Sequence, residues 1–269
     1  KLFTKSLADS FEYLNTFFGR DQRDIFEIHS LISLGGIGIA IPFIIKAYKY
    51  GLPKSELSKL CSELESLLIR HRLIGTRAEL IPRINDVYQK FSSEQPEIKP
   101  IVDRIEWMKN VSSDSYWWAY WNNKELEKAL QGGINHSIAK FLLWKYENYL
   151  VSQGENGYSP IRFDKIDSPE LEHIAPQTPT NGEPIAAGYC EYDEEFKNQY
   201  IDCLGNYLLL SKSHNCSVGN KPFADKRESY THLEQQREIQ EMTKDSPTWT
   251  KKLIQERKEK IVRFLMDNI

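Results

Sequence analysis

The chain has 269 residues, 27% of them charged and 12% aromatic, with a formal net charge of −3. That length can bury a core as one large domain or two small ones, and the composition excludes a disordered or fibrous protein. The small negative charge excludes a globally basic nucleic-acid binder, so any such contact must come from a local patch.

Up to about residue 152 the pattern reads as helix after helix. The uncharged run from Ser30 to Ile45 contains Gly35, Gly36, Gly38 and Pro42, too short and broken for a bilayer span, and is expected in a buried core. After Pro53 comes a helix whose Leu57, Cys61, Leu64 and Leu68 recur at threes and fours. They form its inner face, with Lys54, Glu56, Lys59 and Glu63 outward. The segment Ser115-Tyr-Trp-Trp-Ala-Tyr-Trp-Asn122 could stack bases or pack between helices. The absence of interleaved Lys or Arg favours packing. A further helix is capped by Asn135 or Ser137 and buries Ile138, Phe141, Leu142, Tyr149 and Leu150. Residues 1–152 are thus expected to form a helical domain.

The run from Gln153 to Pro160 is rich in Gly, Asn, Ser and Pro and reads as a loop and a boundary. Residues 153–269 are expected to form a small α+β unit with C-terminal helices. Ile161, Phe163, Leu171 and His173 mark short strands, and Tyr207 to Ser211 another. From Glu228 to Ile269 the chain is charged and helical, interrupted near Ser246-Pro247, with Leu253, Ile261, Phe264 and Leu265 as apolar positions. The fold class is therefore mainly α with a small α+β unit.

Cys61, Cys190, Cys203 and Cys216 include no C-x-x-C pair, which points to reduced thiols in a cytosolic protein. No leader with a cleavage site opens the sequence, so a cytoplasmic location without membrane association is expected. The first residue is Lys, as expected of a piece of a longer protein.

The chemistry concentrates in three motifs. Glu172-His173-Ile-Ala-Pro-Gln177 places an acid and an imidazole side by side before a proline. In a strand they face opposite ways, but at a strand end a turn lets both approach one site. Gly205-Asn206-Tyr-Leu-Leu-Leu210 follows, and then Asn215 with Gly219-Asn-Lys-Pro-Phe-Ala-Asp-Lys226. On these motifs the sequence resembles an HNH nuclease of the ββα-metal group. Within it, the chain is most similar to the C-terminal domain of GmrSD-type modification-dependent restriction endonucleases and related phage-defence nucleases. The likeness is sharp over residues 172–226 and general over the helices before them.

The resemblance implies hydrolysis of DNA phosphodiesters, with one or both strands cut. Such chemistry needs a base to activate water and a cation to neutralise phosphate charge. His173 is assigned the base role because imidazole titrates near neutrality. Mg²⁺ or Mn²⁺ is the implied cofactor, with Glu172 and Asn215 as oxygen ligands, Glu172 binding directly or through water. Asn206 is grouped with His173 and Asn215 in the catalytic set, as the residue whose hydrogen bonds hold the His173 backbone. Lys212, Lys221, Lys226 and Arg227 are the expected DNA phosphate contacts, and His214 is a second candidate ligand. The implied partner is DNA, possibly modified. The family's N-terminal nucleotide-hydrolysing sensor region is expected to be missing, because no phosphate-binding Gly-Lys-Ser/Thr loop occurs here. The alternative is a catalytically inactive helical DNA- or protein-binding module that retains a ββα remnant.

Overall fold

The structure, a computed structural model, describes residues 2–154, 159–178, 188–189 and 192–269. The chain divides into two compact units, residues 1–126 with Ile269 and residues 127–268.

The described part of the first unit is helical: α1 (Leu2–Phe17), α2 (Phe26–Leu34), α3 (Ile41–Lys49), α4 (Lys54–Ile74), α5 (Ile81–Lys90) and α6 (Lys99–Asn110). The run from Ser30 to Ile45 is split between α2 and α3, with Leu31, Leu34, Phe43 and Ile44 buried as expected of a core segment. No described helix is long and apolar enough to cross a membrane. Leu57, Cys61, Leu64 and Leu68 line the buried face of α4, and Gly75 ends that helix in the left-handed conformation that glycine adopts without strain.

The aromatic segment departs from expectation. Trp121 is fully buried, but Tyr116, Trp117 and Tyr120 are 84%, 53% and 41% exposed. The chain here runs as 3₁₀ turns kinked at Tyr116, whose φ is 34°. The tight winding leaves no continuous inward stripe for all five rings. The buried Arg83 guanidinium lies 3.7 Å from the Trp117 ring centre and donates from Nε to the Trp117 carbonyl at 2.6 Å.

Helix α7 (Asn123–Gln131) leads into the second unit, followed by α8 (His136–Ser152). Asn135 caps α8 by accepting a hydrogen bond from the Ser137 amide. Ile138, Phe141 and Leu142 are buried, whereas Tyr149 is 37% exposed. Because α8 packs on the strands and on a later helix, it belongs to this unit. The boundary expected near residue 152 thus falls inside the second unit, and part of the loop that suggested it lies outside the described residues.

The strands are β1 (Pro169–His173) and β2 (Tyr207–Ser211), antiparallel, with Glu172 opposite Leu208 and His173 opposite Tyr207. Strands expected at Ile161 and Phe163 do not form, and Phe163–Lys165 is a 3₁₀ turn. The reason lies in α8. The Asn148 amide accepts from the Ile161 N–H at 2.7 Å and donates to its carbonyl at 3.1 Å, and Trp144 donates to the same carbonyl at 2.6 Å. With its backbone groups engaged, Ile161 has nothing left for a ladder.

Between the strands lies α9 (Glu194–Gln199). After β2 come α10 (Lys212–Val218), α11 (Phe223–Ser229), α12 (Glu234–Met242) and α13 (Lys251–Asn268). The break between the last two falls around Ser246-Pro247, as the sequence suggests. Buried Ile174, Phe196, Leu208, Leu210, Phe223 and Trp249 form the core under the sheet.

Two devices fix the strands. The open edge of β2 is closed by side chains of α12: Gln235 accepts from the Leu209 amide at 3.1 Å, and Gln236 donates to the Leu209 carbonyl at 3.3 Å. An unpaired strand edge is thereby satisfied without a third strand. The start of β2 is held by α13, where the buried Arg257 donates to the carbonyls of Leu204, Gly205 and Tyr207 at 3.3, 3.0 and 2.5 Å. Gly205 permits this approach, since a Cβ there would lie 2.0 Å from the Ile254 carbonyl oxygen. Among the described cysteines, Cys61, Cys203 and Cys216 are free, and Cys190 lies outside the described residues.

Candidate active site

Glu172 and His173 are consecutive on β1, so their side chains leave the strand on opposite faces. Glu172 is buried, and its Oε1 accepts from Lys226 Nζ at 2.6 Å and from the Tyr230 hydroxyl at 3.3 Å. Lys226 also donates to the carbonyls of His173 and Ile174 at 3.0 and 3.3 Å. An ammonium has three donors, and here all three point inward from a fully buried side chain. Lys226 therefore does not reach a DNA phosphate, contrary to expectation; it is the counter-ion of Glu172. Burial pushes the Glu172 carboxyl up, against the pull of Lys226. Burial likewise pushes Lys226 down, against the pull of Glu172.

On the other face, His173 Nε2 lies 2.9 Å from Asp202 Oδ1. The same oxygen accepts from the Gln177 amide and the Tyr207 hydroxyl, each at 3.3 Å. Burial pushes the Asp202 carboxyl up, but the hydrogen bonds from His173, Gln177 and Tyr207 hold it below the ordinary carboxylate range. An ionised carboxylate only accepts, so Nε2 must carry the proton and the basic lone pair of His173 sits on Nδ1. Burial lowers the His173 pKa, and Asp202 opposes that shift. The ring of His136, at the start of α8, stands 5.6 Å from that of His173. One donor atom from each of His136, His173 and Asp202 lies within 4.8 Å of the other two.

The chain bends after His173, beside a cleft of about 270 Å³ that both Glu172 and His173 border. Its walls include Glu172, His173, Gln177, Asn215, Asn220 and Lys226. Asn206, fully buried, ties this turn down. Its Oδ1 accepts from the Ala175 amide at 2.9 Å and the Trp249 indole at 3.0 Å. Its Nδ2 donates to the carbonyls of Ala175 and Ile201 at 2.9 and 3.0 Å, and its own carbonyl accepts from the Ile174 amide at 2.9 Å. Asn206 therefore stands behind the cleft and does not line it.

Asn215 reaches the cleft from α10, which Ser211 caps by accepting from the His214 amide at 3.3 Å. Its neighbour His214 points elsewhere. The His214 Nε2 lies 2.8 Å from the Ser229 hydroxyl, in a separate cavity shared with Ser211, Ser213 and His232. Lys212 and Lys221 are exposed. Arg227 is half-buried and committed, donating to the Thr243 hydroxyl at 2.7 Å and the Gln240 carbonyl at 3.3 Å.

One carboxylate, half engaged by an ammonium, and one amide make a sparse oxygen donor set. Such a set fits an ion that keeps most of its water, as Mg²⁺ does. Nothing local in the sequence marks Asp202 or His136. Asp202 lay in an acidic stretch that reads as solvent-facing, and His136 in the first turn of a helix with no chemical motif around it.

A mainly helical protein with a two-stranded antiparallel sheet and a polar cleft at the strand end is the class that fold and site define. Residues 113–264 match the family model of the GmrSD restriction endonucleases, C-terminal domain, which spans the whole cleft. The chain belongs to that family. No curated protein and no solved structure matches the chain.

Proposed function

We propose that this protein is a metal-dependent DNA endonuclease or nickase of the HNH type, acting in the cytoplasm in restriction or anti-phage defence. The observation that carries the reading is that Glu172 and His173 from the end of β1 and Asn215 from α10, the helix that follows β2, border one cleft. The Nδ1 lone pair of His173 takes a proton from the attacking water, and Asp202 holds the ring in the tautomer that leaves this lone pair free. Glu172 and Asn215 would hold Mg²⁺ or Mn²⁺, which would neutralise charge growing on the phosphate. Asn206 acts at one remove, keeping the turn after His173 in place. Lys212 and Lys221 supply phosphate contacts. The substrate is DNA, possibly modified, and a nucleotide-hydrolysing sensor region elsewhere in the full protein controls cutting.

The test is plasmid nicking with Mg²⁺, Mn²⁺ or EDTA. Wild type nicks only with metal, and His173→Ala loses about 10²-fold or more, the usual contribution of a general base. Equal absence of nicking in both proteins, each folded, ends the enzyme reading. The second reading, an inactive binding module, is favoured by the exposed rings of Tyr116, Trp117 and Tyr120. Under it wild type binds DNA without cutting, and Trp117→Ala loses the binding.

A further inference from the structure

The imidazole of His173 meets two groups that do not line the cleft with Glu172 and Asn215. His136 is exposed, touches the rings of His173 and Tyr207, and makes no hydrogen bond among the described residues. Asp202 is likewise exposed, and its Oδ1 faces His173 Nε2. These residues come from the start of α8, the end of β1 and the segment before β2, and their donor atoms lie within 4.8 Å of one another.

We propose that His136, His173 and Asp202 form a binding site for one Zn²⁺ ion, distinct from the oxygen donors Glu172 and Asn215. Two imidazoles and a carboxylate are a donor set that Zn²⁺ takes with one position left for water. Mg²⁺, which prefers oxygen and sheds water reluctantly, does not compete well for it. Bonds of roughly 2.0–2.1 Å to each ligand require donor atoms to sit about 3.3 Å apart. The His173–Asp202 pair is already at 2.9 Å, and His136, whose donor atom lies within 4.8 Å of both, closes the remaining distance on binding.

Occupancy has a chemical consequence, which rests on His173 being the base. A cation on Nε2 takes the lone pair that this nitrogen bears once its proton is gone. Through exchange with solvent the single ring proton then resides on Nδ1, so no net proton is gained or lost. The imidazole no longer has a free lone pair to receive a proton from water. Zn²⁺ thus switches the cleft off, while Mg²⁺ at the oxygen donors switches it on.

The experiment uses the purified chain, titrated with Zn²⁺ alone against a chromophoric chelator and with Co²⁺ alone read by its visible d–d bands. Wild type binds one equivalent, and Asn215→Ala binds equally well. His136→Ala, His136→Gln and Asp202→Ala each weaken binding by about tenfold or more, at least the loss seen when a ligand's supporting partner is removed. No Zn²⁺ binding by wild type, unchanged binding in both His136 variants, or equal loss in Asn215→Ala overturns the site. In Mg²⁺-dependent nicking, one equivalent of Zn²⁺ stops wild type and spares His136→Ala, each compared with its own rate before Zn²⁺ is added. Equal inhibition of the two overturns the switching claim. Should wild type not nick at all, the nuclease reading fails while the binding titration still decides the site.

Discussion

The Lys226 ammonium lies 2.6 Å from Glu172 Oε1, with the two side chains 0% and 6% exposed. A strand residue and a residue on α11 are thereby joined across the back of the cleft. Removing one partner of such a buried pair leaves an uncompensated charge, whereas removing both does not.

Lys226→Met is therefore expected to destabilise the protein by about 3–5 kcal/mol, and Glu172→Leu combined with Lys226→Met to recover most of that loss. Urea denaturation of the single and double variants measures it. The double variant, refolded but without its carboxylate, should still fail to nick. Additive destabilisation would show that the pair does not act as a unit.

Asn206→Ala strands two N–H donors, the Ala175 amide and the Trp249 indole, and two carbonyls that its side chain now satisfies. At roughly 1–3 kcal/mol for each buried group left unpaired, partly relieved by water, the loss should be roughly 3 kcal/mol or more. Asn215→Ala, in contrast, should abolish metal-dependent nicking with little change in melting temperature. Equal melting temperatures for the two variants would contradict this division.

The pH dependence follows from His173. Burial lowers its folded pKa below the ordinary histidine value of about 6.5. The acid limb of kcat/KM should accordingly fall below pH ~6.5, because the free enzyme keeps the neutral base down to that point. Asp202 raises the His173 pKa, so Asp202→Asn should move the limb to still lower pH and reduce kcat by about tenfold or more as the tautomer is lost. The same shift bears on stability. A depressed histidine pKa gives stability that is present above about pH 6.5 and lost as pH falls through the folded value. A limb that moves upward in Asp202→Asn would refute the assigned pairing.

Gly205→Ala tests the packing of α13 on the start of β2. A Cβ at 2.0 Å from the Ile254 backbone carbonyl cannot be relieved by a side-chain rotation, so the helix must shift away from the Arg257 contacts. A loss of about 3 kcal/mol or more is expected, at or above the top of the usual overpacking range. Near wild-type stability in a thermal melt would mean that α13 is not held as described.

Much of the fold could be read from local pattern. The inner face of α4, the Asn135 cap, the two strands and the break near Pro247 are each fixed by neighbours three, four or two residues away, or by a backbone restriction. The candidate residues Glu172, His173 and Asn215 could be named from motif order, and they border one cleft. Lys226, a lysine among charged neighbours, reads as exposed, and only the approach of α11 to β1 buries it. Ile161 reads as a strand residue, but the groups that capture its backbone belong to Asn148 and Trp144, thirteen and seventeen residues earlier.

Alone, the order of residues settled most of the coiled segments, the two strands that form, and which side chains are candidates for the site. Tertiary structure decided the pairings: Glu172 with Lys226, His173 with Asp202 and His136, and Asn206 with the turn beside the cleft. The reason is physical. Backbone periodicity acts over a few residues, whereas burial and the partner of a charge depend on which distant elements pack together, and these set the ionisation of each group.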